Sequence, residues 1–329
     1  MYRTYYSKQL DHVRDLLKER VVFNGDPGKG CYRKKERDFA LAKCENNFFS
    51  GMYQPAMDYF EKNRICWWGG IEPTRHPLSS QIACLNHLFP LREDKDAVLA
   101  ICRAVDPGID GVLPIDSDCE GTRAFVQFEA VSDVDYLNEL RQPTGGKREP
   151  NTTSGALLMR GANCTSIDAL IYAMRGSERV VILIEWKYTE SYGNTNKADG
   201  DGGNTRVKRY SDIINRSGQL KNGDHRVYYF EPFYQLMRQT LWAECLRENK
   251  DTETVKADDF IHVVVIPREN TKLRNKLYPC RGMDMESTWR AQINDGSKFR
   301  VISPRDLIAG LDKSNYGDLI GYLSRRYWQ

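Results

Sequence analysis

Apolar residues recur along this chain with two different periods, and the change falls near residue 123. Before it, the spacing is that of amphipathic helices. Residues 11–20 form one such stretch, and residues 37–63 set Phe39, Leu41, Phe48, Met52, Met57 and Phe60 among polar neighbours, which predicts a second. In residues 76–90, Ser79 or Ser80 is placed to cap a short helix that Pro90 stops. Asp94 is a capping residue for a further helix over 94–105, closed by Asp106, Pro107 and Gly108.

Beyond residue 123 the period shortens toward two. Residues 124–130 alternate like a strand, and 166–173 and 180–186 read as two strands flanking Gly176 and Ser177. Residues 142–154 are polar and rich in Pro, Gly, Lys and Arg, and the Gly- and Asn-rich 193–204 is a loop. A helix is predicted over 230–248, a buried strand over 260–266, a short strand over 299–302 and a helix over 304–311. Helices first, then strands mixed with helices, predict an α/β or α+β fold with a central sheet flanked by helices. The expected organisation is a helical N-terminal region, 1–120, packing on a core formed by 121–329.

Composition narrows the class without deciding it. With 40% hydrophobic and 28% charged residues, the chain can bury a core. No apolar run approaches the length of a membrane span and the N-terminus lacks a secretory pattern, so a soluble cytoplasmic protein is expected. Nine cysteines stand singly, with no Cys-x-x-Cys pair, which predicts free and largely buried thiols rather than a zinc site. The net charge of +3 neither requires nor excludes a nucleic-acid partner. Residues 25–30 lack the spacer and the Ser/Thr of a phosphate loop.

The candidate chemistry lies in the hairpin. Glycine at the first central position suits a type II′ turn, so Gly176 and Ser177 set a register in which opposed residues have numbers summing to 353. Asp168 then faces Glu185, and alternation puts Lys187 on the same face while Trp186 points the other way. Carboxylates opposed across two strands repel, and a divalent cation between them turns that cost into affinity. Asp168 and Glu185 are therefore the expected Mg²⁺ ligands, with the Trp186 carbonyl as a further one. Lys187 would orient the attacking water or stabilise charge on the phosphoryl oxygens. A Glu-x-Lys ending a strand is in most proteins a solvated face or an ion pair. Here the apolar run leading into it, the opposed Asp168 and the buried strand favour phosphodiester hydrolysis.

Asp168, followed by Glu185, Trp186 and Lys187 at the end of the next strand, resembles the PD-(D/E)XK, restriction-endonuclease-like nuclease superfamily. Ile167 stands where the name of that motif has proline. The wider context, through residues 76–81, 86–92 and 184–190, resembles a poorly characterised family of bacterial restriction endonucleases. The resemblance implies a mixed sheet flanked by helices, Mg²⁺ dependence (with Mn²⁺ as a substitute) and a DNA substrate.

Weaker candidates surround this set. Glu129 is a further carboxylate for the metal, or an exposed strand glutamate. Gln235 and Gln239 share a helix face, where Gln235 is a possible accessory to Lys187, or both are solvated. Tyr188 and Glu190 are placed to line the cleft, and Lys147, Arg148, Arg206, Lys208, Arg209, Arg325 and Arg326 to track a phosphate backbone. The expectation is a Mg²⁺-dependent DNA endonuclease of restriction or defence type. A catalytically inactive nucleic-acid-binding protein on the same fold and an RNA-directed nuclease stay open beside it, as does a structural module with a mere Glu–Lys pair. Cutting both strands with one site per chain favours a homodimer.

Overall fold

The computed structural model describes residues 3–68, 70–117, 121–139 and 164–328. The polar stretch 142–154, with Lys147 and Arg148, lies outside the described residues.

Six strands make the central sheet: β1 (Gly111–Leu113), β2 (Val126–Ala130), β3 (Ile167–Arg175), β4 (Glu178–Trp186), β5 (Asp259–Val265) and β6 (Phe299–Ile302). Its spatial order is β6-β5-β4-β3, and β1 and β2 share the outer edge of β3 end to end, both antiparallel to it. β3 and β4 form the antiparallel hairpin, whereas β4, β5 and β6 run parallel. The sheet is mixed and flanked by helices, an α/β fold of the restriction-endonuclease-like kind.

The hairpin register is the one the turn imposes. Arg175 pairs with Glu178 and Ala169 with Ile184, and Gly176 has φ of +60°, as the first central residue of a type II′ turn requires. Parallel strands need long crossovers. That from β4 to β5 carries α5 (Gly203–Arg216) and α6 (Phe233–Glu248), and that from β5 to β6 carries α7 (Met285–Gln292). One face of the sheet, including Leu170, Val181, Leu183 and Val264, packs under α5, α6 and α7. The other, including Ile171, Ile182, Ile184, Trp186 and Val263, packs under the N-terminal helices. These are α1 (Tyr5–Glu19), α2 (Tyr53–Lys62), α3 (Ser80–Leu88) and α4 (Lys95–Val105), joined there by the C-terminal α8 (Lys313–Tyr327). Burial on both faces is why β4 and β5 read as continuous apolar runs, each such side chain contributing about 1.5–3 kcal/mol.

Capping holds where the sequence placed it. The Ser79 hydroxyl accepts from the Ile82 amide, and the Asp94 carboxylate accepts from Asp96 and Ala97. The helix expected over 37–63 does not form across that length. The buried Asp26 carboxylate accepts from the backbone N–H groups of Gly28, Ala42 and Lys43 and from the Asn46 amide. That capture holds the chain before Tyr53 in an irregular path, with one short turn at Cys44–Asn47. The helix expected over 304–311 is likewise only Pro304–Leu307. Of the described cysteines, Cys44, Cys84 and Cys102 are buried, Cys31 is exposed and the rest are half-buried, all as free thiols.

Candidate active site

Glu185 lies at the end of β4, and the hairpin register continued by one pair places Asp168 opposite it. The pairing of β2 with β3 adds a third acid. Phe128 pairs with Ala169 and Ala130 with Ile167, so Glu129 falls opposite Asp168. Three carboxylate residues thus stand in a row across β2, β3 and β4. Glu129 has φ of +47°, rare for a residue with a long side chain, and such strain collects at functional sites. It is buried rather than exposed, its carboxylate accepting from Gln81 Nε2 of α3 and from Ser166 Oγ, each at 2.9 Å.

The other two acids are held from different directions. Asp168 accepts from the Trp186 backbone N–H at 2.7 Å. Glu185, 4% exposed, pairs with the equally buried Lys187 through Oε1 and accepts from Gln239 Nε2 through Oε2 at 2.5 Å. Gln235 Oε1 accepts from Lys187 Nζ at 2.5 Å. The two glutamines match the strand by simple geometry. Residues two apart on a strand are separated by roughly 6.6 Å and residues four apart on a helix by about 6 Å. Gln239 therefore sits over Glu185 when Gln235 sits over Lys187, with α6 running against β4.

His262 extends this support. It lies on β5 beside Leu183, on the face that carries Glu185. Its Nε2 is 2.8 Å from Gln239 Oε1, and its Nδ1 is 3.4 Å from the Thr240 hydroxyl. Because the Gln239 amide nitrogen faces Glu185, its oxygen is left to accept, which assigns the His262 proton to Nε2. Burial pushes His262 down to about 4 against the pull of Glu185, so the ring is neutral at physiological pH.

Charge at the site is unbalanced. Burial, then Glu185, then Glu129 push the Asp168 carboxyl well above the usual range, against smaller opposition from Lys187 and the Trp186 N–H. Burial alone would lower Lys187, but Glu185, Glu190 and Asp168 outweigh it and hold the ammonium charged. One buried cation thus faces three acids, an excess of negative charge that suits a hard divalent cation bound by oxygen. Among the described residues no group of three or more His, Cys, Asp or Glu side chains is arranged to hold a metal ion. The opposed carboxylates of Asp168 and Glu185 are the pair that could share such an ion.

Several residues named from sequence stand elsewhere. Tyr188 does not line a cleft: it is buried, with its hydroxyl donating to Gln9 of α1 at 2.7 Å, while Glu190 lines an open cavity. Arg326 is buried against Phe23, Tyr322 and Tyr327 and donates to the carbonyls of Asn47 and Pro77, which makes it a structural residue. Arg325 pairs with Glu19. Gln81, Ser166 and His262 were missed, although a lone histidine in the otherwise apolar run 260–266 was a visible signal.

A mixed sheet with two opposed acids and a lysine at the end of its central hairpin has the architecture of the restriction-endonuclease-like class. Within that class, residues 16–328 match the family described as "Restriction Endonuclease associating with ARP", and the chain belongs to that family. Membership supports a nuclease role in defence and implies a DNA substrate. No curated protein and no solved structure matches the chain. Among the described residues no helix is long and apolar enough to cross a membrane.

Proposed function

We propose that the protein is a Mg²⁺-dependent endonuclease that hydrolyses phosphodiester bonds in DNA, with Asp168, Glu185 and Lys187 as its catalytic residues. The observation that carries this is the acid pair opposed across β3 and β4, Glu185 buried and Asp168 half-buried, with a buried ammonium at Lys187, in a chain of this family.

Asp168 and Glu185 would hold the metal, with the Trp186 carbonyl completing the protein's share and Glu129 as an outlying carboxylate beyond it. When bound, Mg²⁺ supplies charge neutralisation at the scissile phosphate and a more acidic water. The protein's own contribution is positioning. Against the opposing effect of burial, Glu185, Glu190 and Asp168 raise the Lys187 pKa and favour the ammonium. It therefore serves as a fixed donor to the attacking water or the phosphoryl oxygens rather than as a general base. Gln235 limits the rotamers of that ammonium, and Gln239 with His262 fixes the Glu185 carboxylate. In the cell the enzyme would act in the cytoplasm, as a homodimer wherever both strands are cut.

The test is cleavage of assorted plasmid and phage DNA with Mg²⁺, Mn²⁺ or EDTA, beside Lys187→Ala. Metal-dependent cutting that disappears in the variant is the expected result. Cutting that persists in Lys187→Ala, Asp168→Ala and Glu185→Ala would refute the site. RNA cut in place of DNA would move the substrate, and nucleic-acid binding without cutting would leave a binding protein on a nuclease fold.

A further inference from the structure

A cavity of about 940 Å³ opens beside the site, walled by the start of α1, the segments around Tyr32 and Trp68, the N-terminus of α3 and the chain following β4. Its size is at the upper end of ligand pockets, roughly 300–1,000 Å³. The wall is both aromatic and cationic. Tyr32 stands edge-on to His76, with ring centroids 4.5 Å apart, so its orientation is fixed before any ligand arrives. Trp68, 75% exposed, is the second flat ring. Arg33, Arg75 and Lys272 supply positive charge against Glu72 and Glu190, of which Glu72 is 4.0 Å from Arg75. Tyr5, also in the wall, is 6% exposed and its buried hydroxyl has no hydrogen-bond partner.

Two contacts tie this cavity to the acid row. Gln81 lines it, donates to Glu129 and accepts from the Trp68 backbone N–H at 3.2 Å. Thr189, Glu190 and Ser191 line it from the strand end that carries Lys187. Aromatic rings that stack a base beside cations that meet phosphate together describe a nucleotide. A base paired within a duplex cannot enter a concave pocket, whereas an unstacked one can.

We infer that this cavity takes one unstacked nucleotide of the DNA substrate, its base against Tyr32 and Trp68 and its phosphate toward Arg33, Arg75 and Lys272. This rests on the nuclease reading, because the cavity's continuity with the acid row is what favours a nucleotide within DNA over a free one.

The experiment is ultraviolet cross-linking of the full chain, in EDTA to prevent cutting, to DNA carrying 5-bromodeoxyuridine at an unpaired position, followed by peptide mapping. Cross-links on peptides bearing Tyr32 or Trp68 are expected, with DNA affinity about tenfold lower in Tyr32→Ala, the loss expected of one stacked base. Tyr32→Phe should restore that affinity, which separates stacking from folding. Cross-links confined to other regions would overturn the inference, as would Tyr32→Ala binding bulged DNA as tightly as wild type. Displacement by free deoxynucleoside monophosphates at equal nucleotide concentration would overturn the DNA source in favour of a free nucleotide. Cleavage by the wild type is scored separately. Cutting without these cross-links removes the pocket and keeps the nuclease; cross-links without cutting do the reverse.

Discussion

Replacing Asp168 by asparagine separates a metal site from a structural one, because the two readings give opposite signs. Asparagine keeps an oxygen that can accept from the Trp186 N–H and removes only the charge. The acids at 168 and 185 are opposed on neighbouring strands, which puts their Cβ atoms about 5 Å apart, and the charges are taken at that separation. With an effective dielectric constant of about 20, that repulsion is roughly 3 kcal/mol, and attraction to Lys187 offsets about half of it by the same rule. Without metal, Asp168→Asn should therefore be more stable than wild type by about 1–2 kcal/mol. For 329 residues the unfolding entropy is about 0.7 kcal/mol/K, so Tm rises by roughly 1.5–3 °C. The pH dependence follows from the raised Asp168 pKa. A carboxyl whose folded pKa is raised contributes stability that is fully present below the unfolded value and is lost as pH rises through the folded one. The gap between variant and wild type should thus be small near pH 4 and widen toward neutrality. Adding Mg²⁺ or Ca²⁺ at about 100 times its Kd should lift the wild type by about 2.7 kcal/mol and the variant by far less. Thermal unfolding by circular dichroism, in EDTA and with each metal, reads all of this. A variant less stable than wild type in EDTA, or one that keeps the full metal response, would refute the reasoning.

Three further substitutions probe the surroundings. Lys187→Met should lower kcat by about 10²–10³ and, by leaving Glu185 buried without a cation, lower metal-free stability by roughly 3–5 kcal/mol; single-turnover cleavage and urea unfolding measure the two effects. Gln239→Leu strands Glu185 Oε2 and the His262 N–H, and should weaken metal binding by about 10–100-fold. Calorimetry with Mn²⁺ checks this, and lost cleavage with unchanged metal affinity would count against a positioning role. Arg326→Ala removes the donor to the Asn47 and Pro77 carbonyls and opens a void against Phe23, at a cost of about 3 kcal/mol or more, with DNA affinity at fixed temperature unchanged.

What could be read from the sequence divides by how far apart the interacting residues lie. A two-residue turn fixes every pair of the hairpin it closes, so Gly176 placed Asp168 opposite Glu185 without any tertiary information. Helix caps at Ser79 and Asp94 are equally local. The failures are contacts closed over long loops or hidden by composition. The Asp26 carboxylate overrides helical spacing before Tyr53 by binding amides 16 and 17 residues away. The helix Gly203–Arg216 begins inside a Gly- and Asn-rich segment that reads as loop, and Lys313–Tyr327 contains Gly317 and Gly321, which depress helix propensity. Three residues, Gly111–Leu113, are too few to show a period at all.

The same division runs through the site. Asp168, Glu185 and Lys187 belong to one hairpin and its exit, and alternation alone puts them on one face. Groups that hold Glu185 and Lys187 come from other elements: Gln239 across 54 residues, with His262 behind it a further strand away, and Gln235 across 48. Glu129 is the instructive intermediate. Alternation identifies it as a strand residue, but only the pairing of β2 with β3, across the long 131–166 connection, sets it opposite Asp168. Its positive φ then turns the side chain to Gln81 and Ser166, which no periodic pattern encodes. A motif close in sequence can therefore name the candidate groups, while their orientation depends on pairings that only the folded chain defines.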